Sequence, residues 1–384
     1  MSIKPIYLDY MSTTPVDPEV ISQMLPYLGP DGIFANPASI QHLPGQAAAS
    51  AVEKARMQIA ETIGASAEDV IFTSGATEAN NLAILGAARF YQRKGRHLIT
   101  LSTEHKSVLD TFQQLEQEGF EVTYLSPEPS GILDLNKLED TLRSDTILAS
   151  IMQVNNEIGV IQNIAAIGQI LENKGIIFHV DAAQSAGRLA IDLSTLAVHL
   201  MSFSAHKNYG PKGVGALFVR QKPRVRLQAL VFGGGQERGL RAGTLPTHQI
   251  VGMGAAFALA ETLREEEQAR ILKLRNDLWQ NLQTIPEIRC NGCLSQRIAG
   301  NLNFSIQDID GEQLLPALHK IAVSSVTACA SNSTQSSYVL KVLGVTNDLC
   351  KASLRLSIGR FTTADDLDKS FVVLRDAICL LRKY

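Results

Sequence analysis

The sequence has no long apolar run. In its 384 residues the nearest approach is Val251-Gly252-Met253-Gly254-Ala255-Ala256-Phe257-Ala258-Leu259-Ala260, which Glu261 cuts off. No segment is therefore expected to span a membrane. The first ten residues hold no apolar signal core, so secretion is not expected. An excess of one charge is missing as well. Lys and Arg total 35 against 38 Asp and Glu, a formal net charge of −3, which argues against nucleic acid as a direct partner. Five cysteines, an odd number in a long chain, fit a reducing cytoplasm better than a disulfide framework. Cys290 and Cys293 have Cys-x-x-Cys spacing but no second pair, so no metal or redox site is expected there. Cys350 and Cys379 fall in helical stretches and are expected in the core. No Gly-x-Gly-x-x-Gly follows the first strand-like run, which disfavours a dinucleotide-binding oxidoreductase.

The composition, 45% hydrophobic and 19% charged, is that of an ordinary globular protein large enough for two domains. Strand-like runs occur at 69–74, 97–101, 121–125, 146–152, 176–180, 198–203 and 213–220. Helical periodicity lies between several of them, at 108–118, 135–142 and 164–173. Such alternation predicts an α/β fold with a mostly parallel sheet covered on both faces. A long helix is expected over 247–284, then a strand–helix tail. The first strand, 5–10, is expected to join the second domain. In open α/β sheets ligands bind beyond the carboxyl ends of the strands. Thr77, His105, Asn156, Asp181, Ser204 and Lys207 all fall at such ends.

Lys207 stands in Ser202-Phe203-Ser204-Ala205-His206-Lys207-Asn208-Tyr209-Gly210-Pro211-Lys212-Gly213, after an apolar strand and before a glycine-rich turn. A lysine walled into a pocket can be a free amine, able to form a Schiff base with an aldehyde. Ser204 and His206 beside it can bind a phosphate. The plainer alternative is a surface lysine in a turn. Asp181 ends the apolar run Ile176-Ile177-Phe178-His179-Val180. A buried acid needs a partner, such as the pyridinium nitrogen of pyridoxal phosphate, unless it only caps a helix. One helix and one strand are expected between Asp181 and Lys207, so both can flank one ligand. Gln184 could bond the ring hydroxyl. Ser74-Gly75-Ala76-Thr77-Glu78 offers a helix N-terminus to a phosphate, or an ordinary cap by Ser74 or Thr77. His105 could stack on a flat ring and shuttle protons. Asn156 and Arg355 could clamp a carboxylate, with a structural ion pair as the alternative for Arg355. Cys329 lies among small and hydroxyl residues from 324 to 337, a stretch expected to be mobile and solvated, where a thiol is accessible and readily ionised.

Taken together, Thr73-Ser74-Gly75-Ala76-Thr77-Glu78, Thr103-Glu104-His105, Val154-Asn155-Asn156-Glu157-Ile158-Gly159, His179-Val180-Asp181-Ala182-Ala183-Gln184, Ser204-Ala205-His206-Lys207 and Arg241-Ala242-Gly243-Thr244 resemble the cysteine desulfurases of the IscS/NifS group. These are class-V aminotransferase-family proteins of the PLP-dependent transferase fold type I. The resemblance implies a large PLP-binding domain at 16–258. A smaller α+β domain, carrying the catalytic-cysteine loop, would be built from 1–15 and 259–384. It implies pyridoxal 5'-phosphate on Lys207, held by Ala76, Thr77, Asn156, Asp181, Gln184, Ser204, His206 and, from the other subunit of a homodimer, Thr244. Asn36, Asn156 and Arg355 would bind the L-cysteine substrate, and Cys329 would take its sulfur, with His105 assisting. The sulfur would pass to an acceptor protein for iron–sulfur cluster assembly or tRNA thiolation. Ala35, Ala205 and Val326 stand where the family usually has glycine. The sequence stops at Tyr384, short of the tail that IscS proteins use in scaffold contacts, which leaves the acceptor open.

Overall fold

Every residue of the strands at 70–73, 97–101, 146–150, 177–181, 200–204 and 215–219 is buried, as expected of strands covered on both faces. In the computed structural model, which describes residues 5–325 and 336–382, the chain runs through these elements. Strands are β1 Ile6–Tyr7, β2 Val70–Thr73, β3 His97–Leu101, β4 Glu121–Leu125, β5 Thr146–Ser150, β6 Ile177–Asp181, β7 Leu200–Ser204, β8 Gly215–Val219, β9 Ile288–Cys290, β10 Asn301–Ile306, β11 Ile321–Ala322, β12 Ser324–Ser325 and β13 Ser353–Ser357. Helices are α1 Pro18–Met24, α2 Leu43–Thr62, α3 Ala76–Tyr91, α4 Lys106–Gln117, α5 Leu135–Thr141, α6 Ile164–Asn173, α7 Thr247–Leu282, α8 Gly311–Ala317, α9 Tyr338–Val342, α10 Asn347–Lys351 and α11 Ala364–Leu381.

Seven strands form one sheet in the order β2-β8-β7-β6-β5-β3-β4. All neighbours are parallel except β8, which runs antiparallel to both β2 and β7. The ten residues 205–214 between β7 and β8 are too few for a helical crossover, so the chain turns straight back. Successive strand residues feed opposite faces. Val70 and Phe72 join one core cluster and Ile71 the other; Ile99 and Leu98, and Phe178 and Ile177, divide the same way. One face is covered by α2, α6 and the first half of α7, the other by α3 and α4. Along α4 the buried positions Val108, Thr111, Phe112 and Leu115 have helical spacing.

A second sheet, β12-β13-β10-β9, is antiparallel throughout. Its core takes Ile271, Leu278 and Leu282 from the second half of α7, and Leu367, Leu374 and Ile378 from α11. β1 pairs in parallel with β11, and Leu8 enters the same core. Two expectations fail. No regular helix joins β6 to β7. The segment breaks into turns around Gly187, whose φ is +73° and whose added Cβ would lie 2.1 Å from Asn208 Oδ1. Cys350 is buried, but Cys379 is exposed, off the buried stripe of α11 that Ala377 and Ile378 supply. Among the described residues no helix is long and apolar enough to cross a membrane.

One polar rung crosses the buried sheet. His179 Nδ1 lies 2.7 Å from Ser150 Oγ and its Nε2 lies 2.9 Å from Ser202 Oγ. Burial pulls the imidazole down to about 3, so it is neutral in the fold. Because the unfolded chain binds a proton that the folded one refuses, stability is lost as pH falls from 6.5 toward 3, by up to ~1.4 kcal/mol per pH unit from this residue. Urea unfolding of the wild type and of His179→Gln across that range should show the slope reduced by about one proton in the variant, which should also be less stable at pH 7.

Candidate active site

The carboxyl ends of β2, β3, β5, β6 and β7 lie on one edge of the large sheet and open into one cavity of about 480 Å³. Lys207 enters it from the 3-10 turn Ala205–Lys207 that follows β7. Its Nζ donates to the carbonyl oxygens of Met11 at 2.8 Å and Ser12 at 2.7 Å. Arg188 Nη2 donates to the Lys207 carbonyl at 3.0 Å, and Thr14 N donates to the His206 carbonyl at 2.9 Å. Two residues on, Tyr209 adopts φ +58°, an uncommon conformation for a bulky residue. Its N–H donates to Thr14 Oγ1 at 2.7 Å. The lysine turn is thus gripped by the chain's own N-terminal segment.

Asp181 ends β6. Its Oδ1 accepts from Ala183 N at 2.9 Å, a turn-forming bond, and its Oδ2 accepts from Asn80 Nδ2 at 2.7 Å. With no helix after β6, Asp181 is not a helix cap; a turn-forming role and a site role coexist. Sequence reasoning missed Asn80. The signal was available: an asparagine one turn into α3, between the buried Ala79, Leu82 and Ala83, is a polar group that needs a polar partner. Asn80 Nδ2 also lies 2.9 Å from Ser107 Oγ.

The opposite end of the cavity suits an anion. α3 starts after Gly75, at φ +154°, with no side-chain cap. Neither Ser74 nor Thr77 plays the capping role, so the first-turn N–H groups of Ala76 and Thr77 remain for a ligand. The Thr77 and Ser204 hydroxyls line the same space, with His206, Lys207 and Lys212. Burial, helped by Lys207 and Lys212, pulls His206 down to about 4; its Nδ1 lies 3.0 Å from Thr13 Oγ1. His105 caps α4 by accepting from Ser107 N at 3.1 Å. Its ring reaches solvent at the mouth, yet the surrounding walls lower its pKa, Asp181 opposing and Lys207 reinforcing the shift.

Arg355, on β13, is 3% exposed. Its Nη1 donates to the Asn156 carbonyl at 2.7 Å. Its Nη2 faces Asp9 Oδ1 at 2.7 Å and the hydroxyls of Ser12 and Ser324, each at 2.9 Å. An ion pair is present, but it lies in the cavity wall, not apart from it. Among the described residues Arg355 Nε and Asn156 Oδ1 are buried with no partner. Gln184 lines the cavity with its amide already engaged, Nε2 donating to Met11 O at 2.9 Å and Oε1 accepting from Arg188 Nη1 at 3.0 Å. Ala76, Thr77, His105, Asn156, Asp181, Gln184, Ser204, His206, Lys207 and Arg355 therefore meet in one place. Asn36 and Thr244 do not. Within this chain they line a separate cavity of about 400 Å³ between α2 and the 236–245 segment, because Asn36 lies in the loop that leads into α2 and Thr244 in the loop before α7. Cys329 lies outside the described residues.

Comparison with known proteins shows the family. The aminotransferase class-V family model matches residues 6–369. The chain belongs to the class-V aminotransferase family, among cysteine desulfurases of the IscS/NifS type. It is 56% identical over 379 residues to a cysteine desulfurase IscS of Klebsiella pneumoniae, covering 99% of this chain and 94% of that one. It is 57% identical over 378 residues to one of Salmonella paratyphi B, covering 98% and 94%. Among solved structures, a NifS-like protein superposes with a TM-score of 0.92 at 33% identity over 98% of this chain and 100% of that one. SspA in complex with cysteine does so with 0.83 at 36% identity over 93% and 100%.

In this desulfurase the anion end depends on close backbone packing. A Cβ on Gly215, at the start of β8, would lie 2.5 Å from the Phe203 carbonyl and 2.6 Å from Gly75 Cα. Gly215→Ala should push the Gly75 turn away from β8 and cost ~1–3 kcal/mol, read as a lower urea midpoint with an unchanged slope.

Proposed function

We propose that Lys207 carries pyridoxal 5'-phosphate and that the cavity receives free L-cysteine, whose sulfur goes to Cys329. The carrying observation is the convergence of a lysine amine, a carboxylate and an uncapped helix N-terminus on one cavity, at Lys207, Asp181 and Ala76–Thr77. The residues fit the group. A phosphate dianion suits the α3 N–H groups, the Thr77 and Ser204 hydroxyls and His206. Asp181, held by Asn80, would keep a proton on the ring nitrogen. Gln184 would bond the ring hydroxyl and His105 would stack on the ring. When bound, the cofactor supplies an electron sink conjugated to the substrate amine.

The chain's own groups do the rest. Arg355 and the Asn156 amide N–H hold the substrate carboxylate, which gives Arg355 Nε, a buried donor with no partner among the described residues, a reason to stand in that wall. Lys207 Nζ is the base for the substrate α-proton. His105, kept largely neutral by its surroundings, takes the substrate thiol proton. The Cys329 thiolate attacks the substrate sulfur. A sulfur–sulfur bond forms to Cys329 and the carbon–sulfur bond breaks. Its electron pair stays with Cβ, which is protonated, so alanine leaves and the transferred sulfur is oxidised to the sulfane level. The persulfide then meets an acceptor thiol, on a protein serving iron–sulfur assembly or tRNA thiolation, in a reducing cytoplasm.

Thr244 would complete the phosphate site of a second copy in a homodimer. Arg241, three residues before it, is tied to its own α3 by Arg241 Nε donating to Glu78 Oε1 at 2.8 Å. Phe34, Leu43 and Phe232 expose 69%, 77% and 80% of their surface. Apolar exposure of that size favours association.

Incubation with pyridoxal phosphate, L-cysteine and a reductant tests this. Wild type should release equal alanine and sulfide. Lys207→Ala should lose turnover by ~10²-fold or more. Cys329→Ser should still change the cofactor absorbance when cysteine binds, yet release no sulfide. Wild-type sulfide release from Cys329→Ser would refute the nucleophile assignment.

A further inference from the structure

Two buried carboxyl residues beside the cavity have no part in the chemistry above: Glu104 and Glu157. Each adjoins a residue that does. Glu104 precedes His105, and Glu157 follows Asn156. Both are joined to α9, a helix that lies outside the large sheet.

Glu157 is 3% exposed. Its Oε2 accepts from Ser337 Oγ at 2.6 Å. The same hydroxyl accepts from Leu340 N at 3.0 Å and so caps α9. One oxygen therefore links the carboxyl group to the helix start. Glu157 is itself fixed: its N–H donates to Asn155 Oδ1 at 2.9 Å, and its carbonyl accepts from Asn301 Nδ2 and Asn303 Nδ2, each at 3.1 Å. The next helix residue, Tyr338, donates from its hydroxyl to the Glu104 carbonyl at 2.6 Å. Behind these bonds Val339 and Leu340 pack with Ile158, Val160 and Cys350. The start of α9 is held against two turns of the active site, one bearing Asn156 and one bearing His105.

Ser337 stands eight positions after Cys329 in the sequence. Eight residues reach at most ~27 Å when fully extended, so the point where Ser337 is fixed limits where the thiol of residue 329 can go. A tethered reactant gains effective concentration only while its tether is anchored near the target. An acid is costly to bury, and the Ser337 hydroxyl, with the Arg355 charge nearby, offsets part of that cost for Glu157.

We propose that Glu157 is a positioning residue for sulfur transfer, which acts through the Ser337 hydroxyl, with Tyr338, to register the segment bearing Cys329 against the Asn156 and His105 turns. The inference rests on the reading of Cys329 as nucleophile. It separates two events. Cysteine binding and removal of its α-proton use the cavity alone, whereas arrival of the Cys329 thiolate uses the α9 anchor.

Ser337→Ala removes both bonds of the linking oxygen with little change in volume, and Ser337→Thr keeps them. Glu157→Gln keeps an acceptor for the hydroxyl and Glu157→Ala does not. In single-turnover experiments with L-cysteine, Ser337→Ala and Glu157→Ala should form the residue-329 persulfide ~10-fold or more slowly, as loss of a buried hydrogen bond implies. The cysteine concentration for half-maximal absorbance change should stay at the wild-type value. Ser337→Thr and Glu157→Gln should remain within about threefold of wild type. In cofactor-free protein, the Leu340 amide should exchange its hydrogen faster in Ser337→Ala than in wild type. Persulfide formation at the wild-type rate in Ser337→Ala, unchanged Leu340 exchange, or a loss confined to cysteine binding would each overturn the proposal. If wild type itself never carries sulfur on residue 329, the nucleophile reading has failed and the positioning role falls with it.

Discussion

A lysine Nζ drawn into a protein cavity needs acceptors. Here they include two successive backbone carbonyls, of Met11 and Ser12, closing on Lys207 Nζ. Much of the site's geometry follows from that contact. The segment that supplies the carbonyls also binds β13, where Ser357 N donates to Leu8 O at 2.7 Å and Met11 N donates to Ser357 Oγ at 3.0 Å. Further along, Thr14 and Asp17 bond the turn that follows Lys207. One short stretch near the N-terminus is therefore a strut between the two sheets. It sets Lys207, from the large sheet, in fixed relation to Arg355, from the small one.

Charge in the cleft is divided by position. The end lined by His206, Lys207 and Lys212 and by the start of α3 is cationic, and helix polarity adds to it. Arg355 holds the other wall. The negative groups are treated differently from one another. Asp181 has an amide donor in Asn80. Burial raises Glu104 well above the usual carboxylate range, against the pull of the Met152 N–H, and pushes Glu157 up to about 7, against Ser337 and Arg355. Glu78, at the start of α3, also lines the cavity, and despite partial burial, bonds from Arg241 and Ser74 lower its pKa. A half-buried histidine, His206, stays neutral beside two lysines and can donate one hydrogen bond without adding charge repulsion.

Much of the fold was legible in advance. Apolar runs of four to six residues separated by helical periodicity marked the strands of the large sheet, because burial on both faces leaves no polar alternation to confuse the reading. The antiparallel course of β8 was not anticipated, although the short connection after β7 carried the signal, because pairing direction follows from connection length and not from composition. The turns between β6 and β7 were misjudged as a helix for a related reason: helix-like residues around Ala182–Ala186 are overruled by the close approach of Gly187 to Asn208. Cys379 was misjudged because helix membership alone does not tell which side of the helix faces the core.

The sequence by itself determined the chemistry: a lysine, an aspartate, a histidine and a glycine-led helix start, each at the end of an apolar run, in an order that resembles one family. Those features are local, and the period of burial along a strand is enough to place them on one edge of the sheet. Only the tertiary structure decided which polar groups answer them. Asn80 meets Asp181 across 101 positions, Met11 meets Lys207 across 196, and Asp9 meets Arg355 across 346. No spacing rule links such residues, because the cost of burying each charge is met by whatever partner the packing of two separate cores brings alongside it.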